Sequence, residues 1–365
     1  MPDQLDEALL ALRERTTALA DALAELDGDN ARDQAVHLSK EAGLFGMTQP
    51  KAYGGSEASV LALTVAREAL AARNAPLTGH VFGPGPGVLA GCGEPLASTH
   101  LAPMLAGSKR GGFAFTEPDN APEPTSAAER DGQWIVNGQK SYVTGGADAN
   151  FLNTLVQIEG QGPAMLVIDT SAPGVRCVRQ FSSLDGSHHA AFEFESVEVP
   201  FTHVIGQPGE GLPRAMRQIG DTRLAIAASC SGWMLWVTNL IEQHIQQPDR
   251  SGKPRADKEG VRLRYADMRI DTFAVRSMLY RTARLADAGE NVVNEAICCK
   301  VFATEAVARV VDTAIQLVGG QALVEAHPLA VLYRRIRALR LAEGASDVLR
   351  LNLVRGNLEL GKGRL

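Results

Sequence analysis

Between Gly111 and about Pro208 the apolar residues fall into short β-branched and aromatic runs separated by turn signals, whereas helical spacing holds on both sides of that stretch. Met165-Leu166-Val167-Ile168 and Ala191-Phe192-Glu193-Phe194 read as strands, and Trp134-Ile135-Val136 followed by Asn137-Gly138 reads as a hairpin. Upstream, Leu5, Leu9 and Leu12, and again Leu61, Val65 and Ala69, recur at three- and four-residue spacing, with Tyr53-Gly54-Gly55 as an intervening loop. Downstream, helical patterns run from Ile219 to Gln247, Arg262 to Ala288, Val292 to Val318 and Ser346 to Leu360. Helices, then strands, then helices predict an α+β chain with a central β-domain.

At 365 residues the chain suits two or three packed units. A net charge of -6 leaves no basic footprint for nucleic acid or an anionic membrane. Cys92, Cys177, Cys230, Cys298 and Cys299 are odd in number and form no CxxC pair, which argues against a disulfide framework or a structural zinc and suits a reducing cytoplasm. No metal site is expected. The segment from Met1 to Glu25 reads as an amphipathic helix rather than a secretory signal, and no window reaches about 18 uninterrupted apolar residues, so a soluble protein is expected. Gly83-Pro84-Gly85-Pro86-Gly87 reads as a helix-entry turn, because prolines remove the backbone donors that a phosphate loop needs.

The chemistry points to Leu341-Ala342-Glu343-Gly344-Ala345-Ser346-Asp347, where one carboxylate sits in an apolar run. If this segment packs inward, Glu343 is poorly hydrated, its pKa rises and it becomes a better base, able to take a proton from carbon. The alternative is a cap or first-turn acid set against the dipole of the closing helix.

Other motifs accompany it in order: Pro50-Lys51-Ala52-Tyr53-Gly54-Gly55, Phe113-Ala114-Phe115-Thr116-Glu117-Pro118, Val136 to Gly146, Phe194 to Pro200, and Gln316-Leu317-Val318-Gly319-Gly320. Together they resemble the acyl-CoA dehydrogenase family of flavoenzymes over nearly the whole chain. The resemblance implies an N-terminal helical domain over 1–110, a middle β-barrel or sandwich domain over 111–211 and a C-terminal four-helix bundle over 212–365. It implies α,β-desaturation of an acyl thioester, by α-proton abstraction and β-hydride transfer. No side chain accepts a hydride, so a flavin is required. The chain has no GxGxxG between a strand and a helix, so a Rossmann site is not indicated, and the resemblance instead implies FAD held in a groove between β-domain and C-terminal helices.

Residue by residue, Glu343 matches the family's catalytic base, and its backbone N–H is implied, with a flavin hydroxyl, to polarise the thioester carbonyl. Phe115 and Thr116 match the segment that contacts the flavin ring. Tyr142 and Thr144 match positions at its other edge, with tyrosine in place of the more usual tryptophan; alone, these residues also read as an alternating strand. Gln316, Gly319 and Gly320 match a contact to a neighbouring subunit's flavin, although Gly-Gly is also a plain C-cap. Arg223 matches an arginine near the acyl-CoA, although pairing with an acid such as Asp221 is its commoner fate. The resemblance also implies that Gly344 adjoins the substrate.

Three departures affect the cofactor side. Asp119-Asn120-Ala121-Pro122 replaces Gly-Ala-Gly-Ser; Ala345 and Asp347 replace threonine and glutamine; and Pro248-Asp249-Arg250-Ser251-Gly252 replaces Arg-x-x-Phe-Gly, leaving Arg250 as the available cation. They imply weak or partner-dependent FAD binding. Acyl-CoA or an acyl-carrier-protein thioester is the implied substrate and electron-transfer flavoprotein the implied acceptor. A homodimer or homotetramer is implied, with a hetero-oligomer as alternative. Two further readings stay open: a non-catalytic or half-site subunit, and a flavin monooxygenase or oxidase on the same fold.

Overall fold

The computed structural model describes residues 4–361; Met1–Asp3, within the expected first helix, and residues 362–365 lie outside it. The described residues form helices α1(Glu7–Ala24), α2(Ala31–Glu41), α3(Val60–Ala72) and α4(Ala102–Leu105), strands β1(Gly111–Ala114), β2(Ser126–Arg130), β3(Gln133–Thr144), β4(Phe151–Ile158), β5(Gly162–Asp169), β6(Val175–Ser182) and β7(His188–Pro200), then helices α5(Gly211–Gln246), α6(Glu259–Asp287), α7(Val293–Val318), α8(Pro328–Leu339) and α9(Ser346–Leu358). They divide into two compact units. One combines the N-terminal residues to Met47, Glu57–Phe82 and the chain from Gly220 onward; the other comprises Thr48–Ser56 and Gly83–Ile219.

In the helical unit, α1 starts where Asp6 accepts a hydrogen bond from the Leu9 N–H, and it buries Leu12, Leu19 and Leu23 on one stripe. The two carboxylate oxygens of Asp287, at the end of α6, accept from the N–H groups of Val60 and Leu61 at 2.7 and 3.0 Å and so satisfy the first turn of α3. Helices α5 to α8 share one apolar core that includes Trp233, Val237, Leu279, Val307, Val310, Leu332 and Ile336. Helix α5 is long and apolar enough to cross a membrane, but most of its apolar stretch is buried within this core. At Gly232 of α5 an added Cβ would lie 2.3 Å from the Glu68 carbonyl oxygen, so only glycine permits this close approach of α5 to α3.

In the other unit a seven-stranded curled sheet runs β1-β4-β2-β3-β7-β6, with β5 on β4. Strands β1 and β2 pair with β4 in parallel and the remaining pairs are antiparallel. One apolar cluster contains Trp134, Val136, Val143, Leu152 and Phe192; another, containing Phe151, Met165 and Val167, packs with Leu89, Leu96 and Leu101.

The sheet corrects the expected hairpin. Asn137-Gly138 does not turn the chain: β3 continues through it, with a register shift against β7 between Val136 and Gly138. A Cβ on Gly138, whose φ is +142°, would lie 2.5 Å from the Thr125 Cα, while the Asn137 side chain accepts from the Ser196 N–H at 2.8 Å. Glycine here serves a bulge and a close backbone approach. The hairpin lies upstream at Asp131-Gly132, both left-handed at φ 51° and 79°, which closes β2 onto β3 with the hand a two-residue loop requires.

Candidate active site

The turn between α8 and α9 carries Glu343 and belongs wholly to the helical unit. Glu343 and Gly344 both lie at positive φ, 54° and 103°. The turn closes where the Ser346 N–H donates to the Arg340 carbonyl at 3.0 Å, and the buried Leu349 packs beneath it against Ile297 and Val301. Arg223, on α5 and only 7% exposed, donates its Nε to the Glu343 carbonyl at 3.1 Å. Lys300, on α7 and 0% exposed, donates to the Gly344 carbonyl at 2.8 Å. Burial raises the Glu343 pKa above the usual carboxylate value, and Arg223 and Lys300 pull in the opposite direction without cancelling it. The result is a carboxylate with enhanced basicity, facing two cations, on a turn too tight to swing freely.

In the sheet unit, a groove of about 590 Å³ is lined by Thr116, Glu117, Lys140, Ser141, Tyr142, Phe181 and neighbours. The Ser141 N–H donates to the Thr116 carbonyl at 2.8 Å and clasps the segment after β1 onto β3. Lys140, 1% exposed, donates to the Glu117 carboxylate at 2.6 Å and to the Phe115 carbonyl at 3.3 Å. Burial lowers the Lys140 pKa against the opposing pull of Glu117; for Glu117, burial acts upward, but the bonds from Lys140 and Thr125 outweigh it and the net shift is down. Tyr142 lies at φ 53° where β3 shifts register, and it stands 63% exposed with its ring edge-on to Phe181 at 5.1 Å. Two predicted residues do not line this groove: Thr144, whose Oγ1 lies 3.2 Å from His189 Nδ1, and Phe115, which stacks on Phe113 at 5.7 Å and borders a separate pocket with Thr125 and Leu155. The groove therefore pairs a flat aromatic face with polar groups. Ser141 Oγ is buried there with no hydrogen-bond partner, as expected of an atom awaiting a polar ligand group. These residues fit a planar, heteroatom-rich ring system such as a flavin.

The remaining predicted residues are dispersed. Gln316 is exposed near the end of α7. Gly319 caps that helix at φ 84°, its N–H bonded to the Ile315 carbonyl, and Gly320 begins a 3₁₀ turn to Leu323. Asp347 is 97% exposed in the first turn of α9 and lies 3.6 Å from Arg350. Arg250 is exposed in a loop whose hub is Asp249, which accepts from Ser251 and pairs with Lys258 at 2.5 Å. Gln316, Gly319, Gly320, Arg250 and Asp347 join neither the Glu343 turn nor the sheet groove.

Three domain models of one family match the chain in order: the acyl-CoA dehydrogenase N-terminal domain over residues 9–106, the middle domain over 112–197 and the C-terminal domain over 209–358. The chain belongs to the acyl-CoA dehydrogenase family. Family members are FAD-dependent oxidoreductases that act on acyl-CoA. An acyl-CoA dehydrogenase of Bacillus subtilis is 27% identical over 85% of this chain and 85% of its own length. An acryloyl-CoA reductase (NADH) of Anaerotignum propionicum is also 27% identical, over 86% and 84%. A crystal structure of a probable acyl-CoA dehydrogenase from Mycobacterium abscessus shares the fold at a TM-score of 0.83 and 24% identity, covering 96% of this chain and 98% of that one.

Two buried lysines beside the predicted loops, Lys140 and Lys300, were given no role by the sequence. Lys140 falls inside the Val136 to Gly146 motif, but nothing local says that it is buried. Lys300 left a clearer signal: a single cation at a position where helical spacing from Ala296 to Ala303 and Val307 points inward.

Proposed function

We propose that this chain is an FAD-dependent acyl-CoA dehydrogenase that desaturates an acyl thioester between its α and β carbons, with Glu343 as the base. The observation that carries this reading is the Glu343 carboxylate, made more basic by burial and held on a turn whose carbonyls are tied to Arg223 and Lys300. When bound, FAD supplies the acceptor for the β-hydride. Glu343 takes the α-proton. Its side chain is the group in the turn able to do so, and its fixed backbone keeps that carboxylate oriented. Gly344, against which a Cβ would meet Leu349 at 3.0 Å, keeps the turn small beside the acyl chain, and Arg223 orders the same segment from α5.

In the sheet unit, Thr116 and Tyr142 would hold the flavin ring, with Ser141 Oγ as a further polar contact, while Phe115 and Thr144, outside that groove, are assigned to the cofactor by the family motif alone. Gln316, Gly319, Gly320, Arg250 and Asp347 are assigned to the far end of the cofactor, contributed across subunits of a homodimer or homotetramer. Acyl-CoA is the proposed substrate, electron-transfer flavoprotein the proposed acceptor and the cytoplasm the proposed compartment. The sequence division at 1–110, 111–211 and 212–365 is retained in this proposal. The reverse direction is a second reading, favoured by the acryloyl-CoA reductase relative. There, Glu343 in its protonated form, which burial favours, would return the α-proton.

The test is anaerobic. Purified protein loaded with FAD is titrated with saturated acyl-CoAs of increasing length while flavin absorbance is followed. Bleaching by at least one chain length, abolished in Glu343→Gln with flavin retained, is expected. No bleaching with any thioester, and no reoxidation of reduced flavin by an enoyl-CoA, would remove both readings.

A further inference from the structure

An ammonium group taken out of water is strongly disfavoured even after relaxation, and Lys300 on α7 is fully buried. A methionine would fill the same space without that penalty. What the lysine makes in return is a bond to the Gly344 carbonyl at 2.8 Å, next to the Glu343 carbonyl that Arg223 binds. Two consecutive carbonyls of a left-handed turn are thus held by cations from two different helices, α7 and α5.

We propose that Lys300 is a positioning residue for the base: it pins the Gly344 carbonyl, keeps Glu343 in its left-handed conformation and places a second positive charge near the Glu343 carboxylate. This rests on the reading of Glu343 as the base and extends it by assigning what holds and tunes that base. The titratable groups acting on Lys300 are Arg223 and Cys230 from α5, Glu343 from the turn and Arg340 from the end of α8. Burial, with the like charge of Arg223 second, pushes Lys300 down to about 8. A value there puts the loss of the ammonium proton within reach of a pH titration, and with it the loss of one of the two cations beside the Glu343 carboxylate.

The experiment uses the full chain with FAD as wild type, Lys300→Met, Lys300→Arg and Glu343→Gln. The glutamate side-chain carboxyls are labelled with ¹³C and followed by NMR against pH, the Glu343 signal being the one absent from Glu343→Gln. In Lys300→Met the Glu343 midpoint is expected higher by about 1 pH, the lower end of the effect of one close opposite charge, while Lys300→Arg stays near wild type. Acyl-CoA bleaching in Lys300→Met is expected to slow by about tenfold or more, because a small misplacement of the base is enough, with a much smaller change in half-saturating thioester concentration. Wild type alone supplies a check if Lys300→Met fails to fold: the Glu343 signal should show a second inflection near pH 8. An unmoved Glu343 midpoint in a folded Lys300→Met, or a wild-type titration without that inflection, overturns the proposal. If wild type never bleaches with any thioester but the midpoint moves, the base assignment falls while the coupling between Lys300 and Glu343 stands.

Discussion

Glu343 occupies a backbone conformation that suits glycine, and this gives a measurable reversal of the usual order of substitutions. At φ 54° an L-residue is disfavoured by roughly 1–2 kcal/mol, a penalty that glycine escapes. At an ordinary helical site glycine is instead less stable than alanine by about 0.5–1 kcal/mol, through the entropy of the unfolded chain. Glu343→Gly and Glu343→Ala both remove the carboxylate and leave Arg223 and Lys300 facing the same missing charge, so that loss cancels between them. The difference of the two backbone effects leaves Glu343→Gly more stable than Glu343→Ala by up to about 1.5 kcal/mol, centred near about 0.75 kcal/mol. Urea unfolding at constant slope measures it. Tryptophan fluorescence is a suitable probe, since Trp233 and Trp236 both lie on α5 in the unit that contains the turn. Both variants should lose about 10²–10⁴-fold in the rate of flavin bleaching, the usual contribution of a general base. If Glu343→Ala equals or exceeds Glu343→Gly in stability, the turn is not held left-handed in solution and the account of a constrained base fails.

The pH dependences of stability and activity should oppose each other at the same residue. The folded pKa of Glu343 is raised, so its favourable contribution is complete below the unfolded value near 4.5 and is lost as pH rises through the folded value. Catalysis needs the ionised form, so bleaching rates should climb over the same window; Glu343→Gln should flatten the stability profile there. Lys140→Met leaves Glu117 and the Phe115 carbonyl without their buried donor and should destabilise by about 1–3 kcal/mol, partly recovered in Lys140→Met/Glu117→Gln, as a double-mutant cycle in urea would show. Tyr142→Ala removes an exposed ring, so stability should change by less than about 0.5 kcal/mol. Its flavin dissociation constant, measured by fluorescence quenching, should rise by about 3–10-fold, the worth of one aromatic stack.

Long helices were legible because their apolar stripes run for many turns: Val292 to Val318 differs from α7 by one residue, and Arg262 to Ala288 from α6 by three at the start and one at the end. Helix α8 is different. Its stripe comprises only Leu329, Leu332 and Ile336, set among Arg334, Arg335 and Arg337, and so short a pattern gains meaning only from the core it meets. Helix α5 starts eight residues before the periodic stretch from Ile219, and those first turns belong to the sheet unit, where Ala215 joins the cluster around Leu89 and Met165. The Asn137-Gly138 pair misled for a physical reason. The same two residues suit a tight turn or a bulge, and the choice was made by Thr125, whose Cα stands where any Cβ on residue 138 would go.

The loops that carry the proposed chemistry were readable from their own residues, but what fixes their shape was not. Lys140 reaches the Phe115 carbonyl across 25 positions of sequence, and Lys300 reaches the Gly344 carbonyl across 44. In both places a fully or nearly fully buried ammonium takes a main-chain carbonyl beside a residue of the proposed site, Thr116 in one unit and Glu343 in the other. A loop with φ values such as 53° at Tyr142 or 54° at Glu343 is unfavourable in isolation, so its conformation must be imposed from outside. An ammonium suits that role better than an apolar contact. It is directional, and once desolvated it is strongly disfavoured unless the carbonyl is in place. The penalty of burying each lysine thereby becomes a restraint on the loop, because any conformation that withdraws the carbonyl leaves a buried charge short of a partner. Motifs in this chain therefore mark where the proposed chemistry occurs, and two lysines outside the residues assigned to it set how sharply the loops are held.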